Sequence, residues 1–237
     1  MVKSSIVEIA HGSEALSLVI FELPESCPVP VLSAQPRPAG ERFGTGACTL
    51  TSHLDAFDRT GFILYEAARL LATFLLTIKP PSASGARALE VGAGACGLNG
   101  LVLARRGWNV TLSDVPEMIN ALTLNVKHNC PDAVVTPLTW GDVAACASLG
   151  TFDLVVGSDV VYKRAYIAPL VETLWATAKR DAYICCEQRE EGVLDEFVCA
   201  AKAKGFAVKR IRRVPLPDMD HLCLFHLKRP APAPGRQ

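Results

Sequence analysis

At 237 residues, half of them hydrophobic and a fifth charged, the chain is long enough for one substantial domain and too apolar to be disordered. Lysine plus arginine (24) balance aspartate plus glutamate (24), which argues against non-specific attraction to nucleic acid or an anionic membrane. The longest uncharged apolar run, Leu70 to Ile78, is too short to span a bilayer, and MVKSSIVEIA lacks a signal-peptide core and a myristoylation glycine. The expectation is a cytoplasmic monomer, the nucleus not excluded, acting on neither nucleic acid nor membrane.

Residues 5 to 23 alternate apolar and polar around AHGSEA, which predicts an amino-terminal β-hairpin. Residues 24 to 50, rich in proline and glycine, read as an irregular arm. A helix is expected from Gly61, with Ile63, Ala67, Leu70, Leu71, Phe74 and Ile78 on one face and Pro80-Pro81 ending it. Strand–helix alternation follows. RALEV (87–91) is a strand leading into a glycine loop, and Leu98, Leu101 and Val102 begin a helix closed by Gly107. NVTLSD (109–114) is the next strand and Pro116 to His128 the next helix. AVVTPLTW (133–140), FDLVVGS (152–158) and DAYICCE (181–187) read as further strands, the last two separated by a helix through Ile167 and Leu174. A helix from Leu194 to Lys204 precedes two closing strands, 206–214 and 221–228, joined by PLPDMD. Repeated βα units imply an α/β, Rossmann-like, mostly parallel sheet with helices on both faces and an antiparallel last strand.

The nine cysteines include no C-x-x-C pair, and adjacent Cys185 and Cys186 would point to opposite faces of a strand. They read as small buried hydrophobes, and no metal is assigned.

LEVGAGACGLNG (89–100) links a strand to a helix, a context in which glycines admit a ligand to the backbone and the helix start favours anions. Asp114 ends the next strand, twenty residues after Gly94, where a carboxylate can accept two hydrogen bonds from a ribose diol. The alternative for Asp114 is a helix cap. Glu90 stands where nicotinamide-binding loops keep an apolar residue; its E-x-G-x-G opening is typical of S-adenosylmethionine sites, and its alternative is a carboxylate bonded to loop amides.

These motifs, taken in register from about Gly61 to Lys228, resemble the seven-β-strand methyltransferases, and among them the DxxY-type protein-lysine methyltransferases of methyltransferase family 16. GFILYEAARLLATFL resembles the helix before the first strand, with Tyr65 where a tryptophan is usual. LEVGAGACGLNG resembles the cofactor loop with one residue more than G-x-G-x-G-L-x-G. LTWGD resembles the adenine-side turn, FDLVVGSDVVY the signature strand, and EQRE the end of the fifth strand. The resemblance implies a methyltransferase domain at 61–229, an amino-terminal hairpin and arm at 1–60 and a flexible tail at 230–237. It implies S-adenosylmethionine as cofactor and a protein substrate. Gly92, Ala93 and Gly94 would hold the methionine end, Asp114 the ribose, and Trp140 and Ser158 would border the adenine or sulfonium. Glu90 would lie at the loop, and Tyr65 would close over the cofactor.

That leaves Asp159 and Tyr162, one turn apart after the FDLVV strand. A lysine amine, with a reference pKa of about 10.4, is neutral in only about one molecule in two thousand near pH 7. A carboxylate and a tyrosine can seat the nitrogen and point its lone pair, so both are the expected catalytic residues. Their alternatives are a helix cap and core packing. Three other readings stay open: another acceptor (histidine, arginine or a small amine), a non-catalytic cofactor-binding member, and an NAD(P)-dependent oxidoreductase. Against the last, none of the four tyrosines begins a Y-x-x-x-K pair.

Overall fold

The computed structural model describes residues 3–11, 13–22, 61, 63–79, 85–212 and 221–230. An amino-terminal hairpin pairs β1 (Lys3–His11) with β2 (Glu14–Glu22) in antiparallel register, Val7 opposite Leu18. After α1 (Glu66–Leu75) come β3 (Arg87–Val91), α2 (Leu98–Arg105), β4 (Asn109–Asp114), α3 (Ile119–Asn129) and β5 (Val134–Pro137). The second half runs α4 (Val143–Leu149), β6 (Phe152–Ser158), α5 (Ile167–Thr177), β7 (Ala178–Glu187), α6 (Val193–Lys204), β8 (Ala207–Ile211) and β9 (Leu222–Lys228). The strands from β3 onward form one sheet in the order β5-β4-β3-β6-β7-β9-β8. Only β9 is antiparallel, inserted between β7 and β8.

The sheet's centre is buried on both faces, as a parallel sheet covered by helices requires. Leu154 and Val156 of β6 face the layer built by α1, α2 and α3, whereas Val155 faces Leu170 and Leu174 of α5 and Phe197 of α6. The period of two thus sorts one apolar run into two cores. The hairpin completes the first of them: Val7, Ile9, Leu18 and Ile20 are all buried there with Leu70, Leu71 and Leu101. Burying each such side chain is worth on the order of 1.5–3 kcal/mol. The carboxamide of Asn129, at the end of α3, accepts from Val19 N (3.0 Å) and donates to Val19 O (2.7 Å), pairing with the hairpin as another strand would.

Several elements differ from expectation. The first helix starts at Glu66, not Gly61, because Tyr65 is extended (φ −82°, ψ 156°) and Gly61 O accepts from Ala95 N (2.7 Å), so the lead-in braces the glycine loop. The strand over 133–140 shortens to Val134–Pro137, and the one at 181 begins at Ala178. The short α4 was not foreseen; it is capped by Asp142, which accepts from Ala145 N (2.9 Å). The arm at 24–50, the PLPDMD turn and the tail beyond residue 230 lie outside the described residues. Cys185, Cys186 and Cys223 are packed between strands as small apolar groups, Cys186 directly opposite Cys223. Lys209 and Arg210 are exposed on the edge strand β8, where charge discourages further strand addition.

Asn129→Ala should lower unfolding free energy by about 1–3 kcal/mol, since it removes the partner of the part-buried Val19 amide and carbonyl. Urea denaturation measures this, and an unchanged midpoint would show that the amide pairing contributes nothing.

Candidate active site

β3 and β6 are hydrogen-bonded neighbours, Glu90 beside Val156, but the chain goes from β3 outward to β4 and from β6 to β7 on the opposite side. Such a reversal of strand order leaves a crevice at the strands' carboxyl ends. A cleft of about 560 Å³ lies there, and all ten residues expected at the site line it. That volume falls within the roughly 300–1,000 Å³ of small-molecule sites.

The glycine loop forms one wall. Gly92 (φ 63°) and Gly94 (φ 60°) both take left-handed backbone. A Cβ on Gly92 would meet Val160 Cγ1 at 2.7 Å and Trp140 Cζ2 at 2.9 Å, and one on Gly94 would meet Gly61 O at 2.7 Å, so neither position tolerates a side chain. Between them Ala93 N donates to Ser113 O (3.0 Å), tying the loop to β4.

Asp114 accepts from Gly94 N and Val115 N, one amide on each oxygen and both at 2.7 Å. Each oxygen keeps acceptor capacity, and the residue lines the cleft, so the carboxylate can still receive a diol. Burial raises its pKa to about 6 against the lowering effect of the two amides. Capping was its alternative; the short turn Pro116–Met118 that follows has no side-chain cap.

Glu90 behaves differently. Its oxygens accept from Asn99 Nδ2 (3.0 Å) and Gly100 N (2.7 Å), so it braces the start of α2 although it borders the cleft. Asn99 Nδ2 also donates to Ser158 Oγ (2.9 Å), linking the ends of β3 and β6 through one buried amide. Desolvation raises the Glu90 pKa to about 7, with the Asn99 and Gly100 hydrogen bonds opposing it.

The opposite wall is aromatic. Trp140 packs edge-on against Tyr166 (6.1 Å between centroids), and Tyr166 against Tyr162 (5.5 Å). Tyr65 enters from the lead-in to α1, with the Arg189 guanidinium 5.1 Å from its ring centre.

Asp159 is the one non-glycine residue with positive φ (55°) among the described residues. Such backbone costs about 1–3 kcal/mol and persists only where its surroundings impose it. Here Asp159 N donates to Cys185 O (2.7 Å), extending the β6–β7 ladder past the last residue of β6. Helix capping does not account for it, because α5 starts only at Ile167. The side chain is 9% exposed and ion-pairs with Arg189 Nη2. Burial raises its pKa, while the Arg189 charge pulls it back.

Sequence reasoning did not single out Arg189, Tyr166 or Lys163, all of which line the cleft. Lys163 Nζ lies 5.5 and 5.7 Å from the Tyr162 and Tyr166 ring centres. The EQRE motif contained the signal for Arg189, a cation just past a strand whose neighbour is followed directly by Asp159.

A sequence model described as lysine methyltransferase matches residues 47–202, more than half the chain. The chain belongs to the lysine methyltransferase family. It is 32% identical over 154 residues to protein N-lysine methyltransferase METTL21A of Danio rerio, covering 63% of this chain and 70% of that protein. The Mus musculus METTL21A is 31% identical over 162 residues, covering 66% and 73%. Magnesium protoporphyrin IX methyltransferase (ChlM) from Synechocystis, solved with bound S-adenosylmethionine, is similar in fold: TM-score 0.51 at 16% identity, covering 69% of this chain and 78% of that one. An O-methyltransferase family protein from Burkholderia thailandensis gives TM-score 0.54 at 12% identity, covering 68% and 57%. The chain is thus an S-adenosylmethionine-dependent protein-lysine methyltransferase with a Rossmann-like sheet, and its substrate is a protein.

The residues present fit that cofactor. The cleft beside the glycine loop has room for a small molecule, and Asp114 retains acceptors for a diol.

Because folding raises the Glu90 pKa from 4.5 to about 7, the methyltransferase holds a proton there that the unfolded chain releases. That stabilisation is fully present below pH 4.5 and lost as pH rises through 7. Gln stays neutral at every pH, so the variant lacks this titration. Glu90→Gln should therefore gain about 2–3 kcal/mol relative to wild type between pH 4.5 and 8. Chemical denaturation at both pH values tests it; a pH-independent difference would contradict the buried proton.

Proposed function

We propose that the two ends of the cleft divide the reaction between them. Gly92, Ala93, Gly94 and Asp114 hold the cofactor, with Trp140, Ser158 and Tyr65 bordering it and Glu90 bracing the loop. Asp159 and Tyr162 receive the acceptor lysine. The observation that carries this reading is the left-handed Asp159, a buried carboxylate in strained backbone on the same rim as the glycine loop.

Bound S-adenosylmethionine supplies a methyl group on a positively charged sulfur, open to displacement by a lone pair. The chain's own task is to align that lone pair. A carboxylate at Asp159 attracts the incoming ammonium, and its hydrogen bonds to nitrogen fix the direction of approach once the proton has left. Holding reactants this way removes several kcal/mol of barrier, and a misplacement of about 1 Å can forfeit 100-fold in rate. A nearby carboxylate also raises the amine's pKa, so Asp159 acts by orientation and not as a general base. Tyr162 adds a ring wall, supported edge-on by Tyr166.

In this reading the enzyme acts on a specific protein, as a monomer, in the cytoplasm, and without nucleic acid or membrane. The balanced formal charge supports the part of this reading that concerns nucleic acid, since it gives no general attraction to polyanions.

Asp159→Ala should reduce transfer of radiolabelled methyl to proteins of a cell extract at least about 100-fold while S-adenosylhomocysteine still binds. Wild-type labelling by the variant would remove Asp159 from the reaction. Asp114→Ala should weaken S-adenosylhomocysteine binding by about 10- to 100-fold, the loss of charge-assisted hydrogen bonds worth about 1.5–3 kcal/mol. Calorimetry returning an unaltered Kd would refute that assignment.

A further inference from the structure

The reading of Asp159 as the acceptor seat raises the question of what occupies it between turnovers. We infer that Arg189 is an exchangeable internal cation on that seat, and that it selects the acceptor: a group must bring its own positive charge to replace the guanidinium.

Three observations support this, and the inference rests on the role given to Asp159. The seat is fixed. Asp159 is pinned by its N–H bond to Cys185 O (2.7 Å) in strained backbone, and its carboxylate, 9% exposed, already holds a cation.

The arm, by contrast, is partly open to solvent. Arg189 lies two residues past the end of β7, its side chain 38% exposed. It has partners that do not involve Asp159: Arg189 Nε donates to Glu187 Oε2 (2.9 Å), and the Tyr65 ring lies beneath the guanidinium. Turning off Asp159 therefore gives up one ion pair and keeps two contacts.

The third observation concerns the segment beyond. Arg164 donates to Glu191 O (2.9 Å) and Glu196 Oε1 (2.8 Å) and pairs with Glu190, so residues 190–196 are held in place. Exchange then needs only a side-chain rotation, not a loop movement.

The consequence is selectivity by charge. A lysine ammonium and the guanidinium repel each other and compete for one carboxylate, so an entering lysine drives Arg189 onto Glu187 and Tyr65. A serine, threonine or tyrosine hydroxyl carries no charge and leaves Arg189 in place, blocking the approach to Asp159. Arg189 is in this account a specificity-determining residue whose partners change with the catalytic cycle.

The test uses the full chain, S-adenosylmethionine and n-butylamine as a lysine side-chain probe, following S-adenosylhomocysteine release. Arg189→Ala and Arg189→Gln should each lower KM for n-butylamine about tenfold or more with kcat little changed. Arg189→Lys, which keeps a cation, should stay near wild type. Each variant's melting temperature and S-adenosylhomocysteine Kd are measured alongside, and Arg189→Gln serves if Arg189→Ala does not fold. A KM in both neutral variants no lower than wild type's, absence of turnover by all proteins included, overturns the inference. A Tm loss without a KM shift would make Arg189 a structural ion pair only. Asp159→Asn in the same assay separates this from failure of the acceptor seat itself: turnover at the wild-type rate there would indict Asp159, whatever Arg189 does.

Discussion

β3 and β6 share hydrogen bonds along their length and then part, and the site exists because of that parting. Had the chain continued from β3 to a neighbour on the same side as β7, a connecting segment would lie across the strand ends. Because it reverses, the glycine loop after β3 and Asp159 after β6 face one another across an open crevice. The rest of the structure maintains this relation. The Asn99 carboxamide, bonded to Glu90 and Ser158, ties the two strand ends together from below. The Gly61 carbonyl, bonded to Ala95 N, braces the loop from the amino-terminal side.

The electrostatics of the cleft follow from its burial. Three carboxylates, Glu90, Asp114 and Asp159, are all pushed toward the neutral form by desolvation, but each is compensated in its own way. Glu90 is met by a side-chain amide and a backbone N–H, Asp114 by two backbone N–H groups, and Asp159 by a guanidinium. The first two partners are parts of the framework. The third is a partly exposed side chain that also pairs with Glu187, which is why the exchange inferred above is assigned to Asp159. A fixed acid with a replaceable cation suits a site through which lysines must pass.

Strands with strong period or unbroken burial were legible in the sequence: Arg87–Val91, Asn109–Asp114 and Phe152–Ser158 fall where the apolar runs put them. The hairpin followed from its alternation, though not its place in the same core as α1 and α2. α4 escaped because its seven residues bury only Cys146 and leave Val143 75% exposed, so no apolar face repeats. The start of β7 was hidden by Lys179 and Arg180, charges that a strand tolerates where it protrudes to water and where Lys179 reaches Asp153 (2.9 Å). At the site, glycine spacing and the acid after β6 were readable from the pattern. Arg189 was not, because its meaning depends on a contact across thirty residues and two parallel strands.

The most direct measurement of the central claim is a crystal structure of the full chain with S-adenosylhomocysteine bound. This account predicts the ligand between the Gly92–Gly94 turn and Asp159, its ribose on the Asp114 carboxylate. Electron density for the ligand at any other place, with the cleft between β3 and β6 filled by water alone, would contradict it.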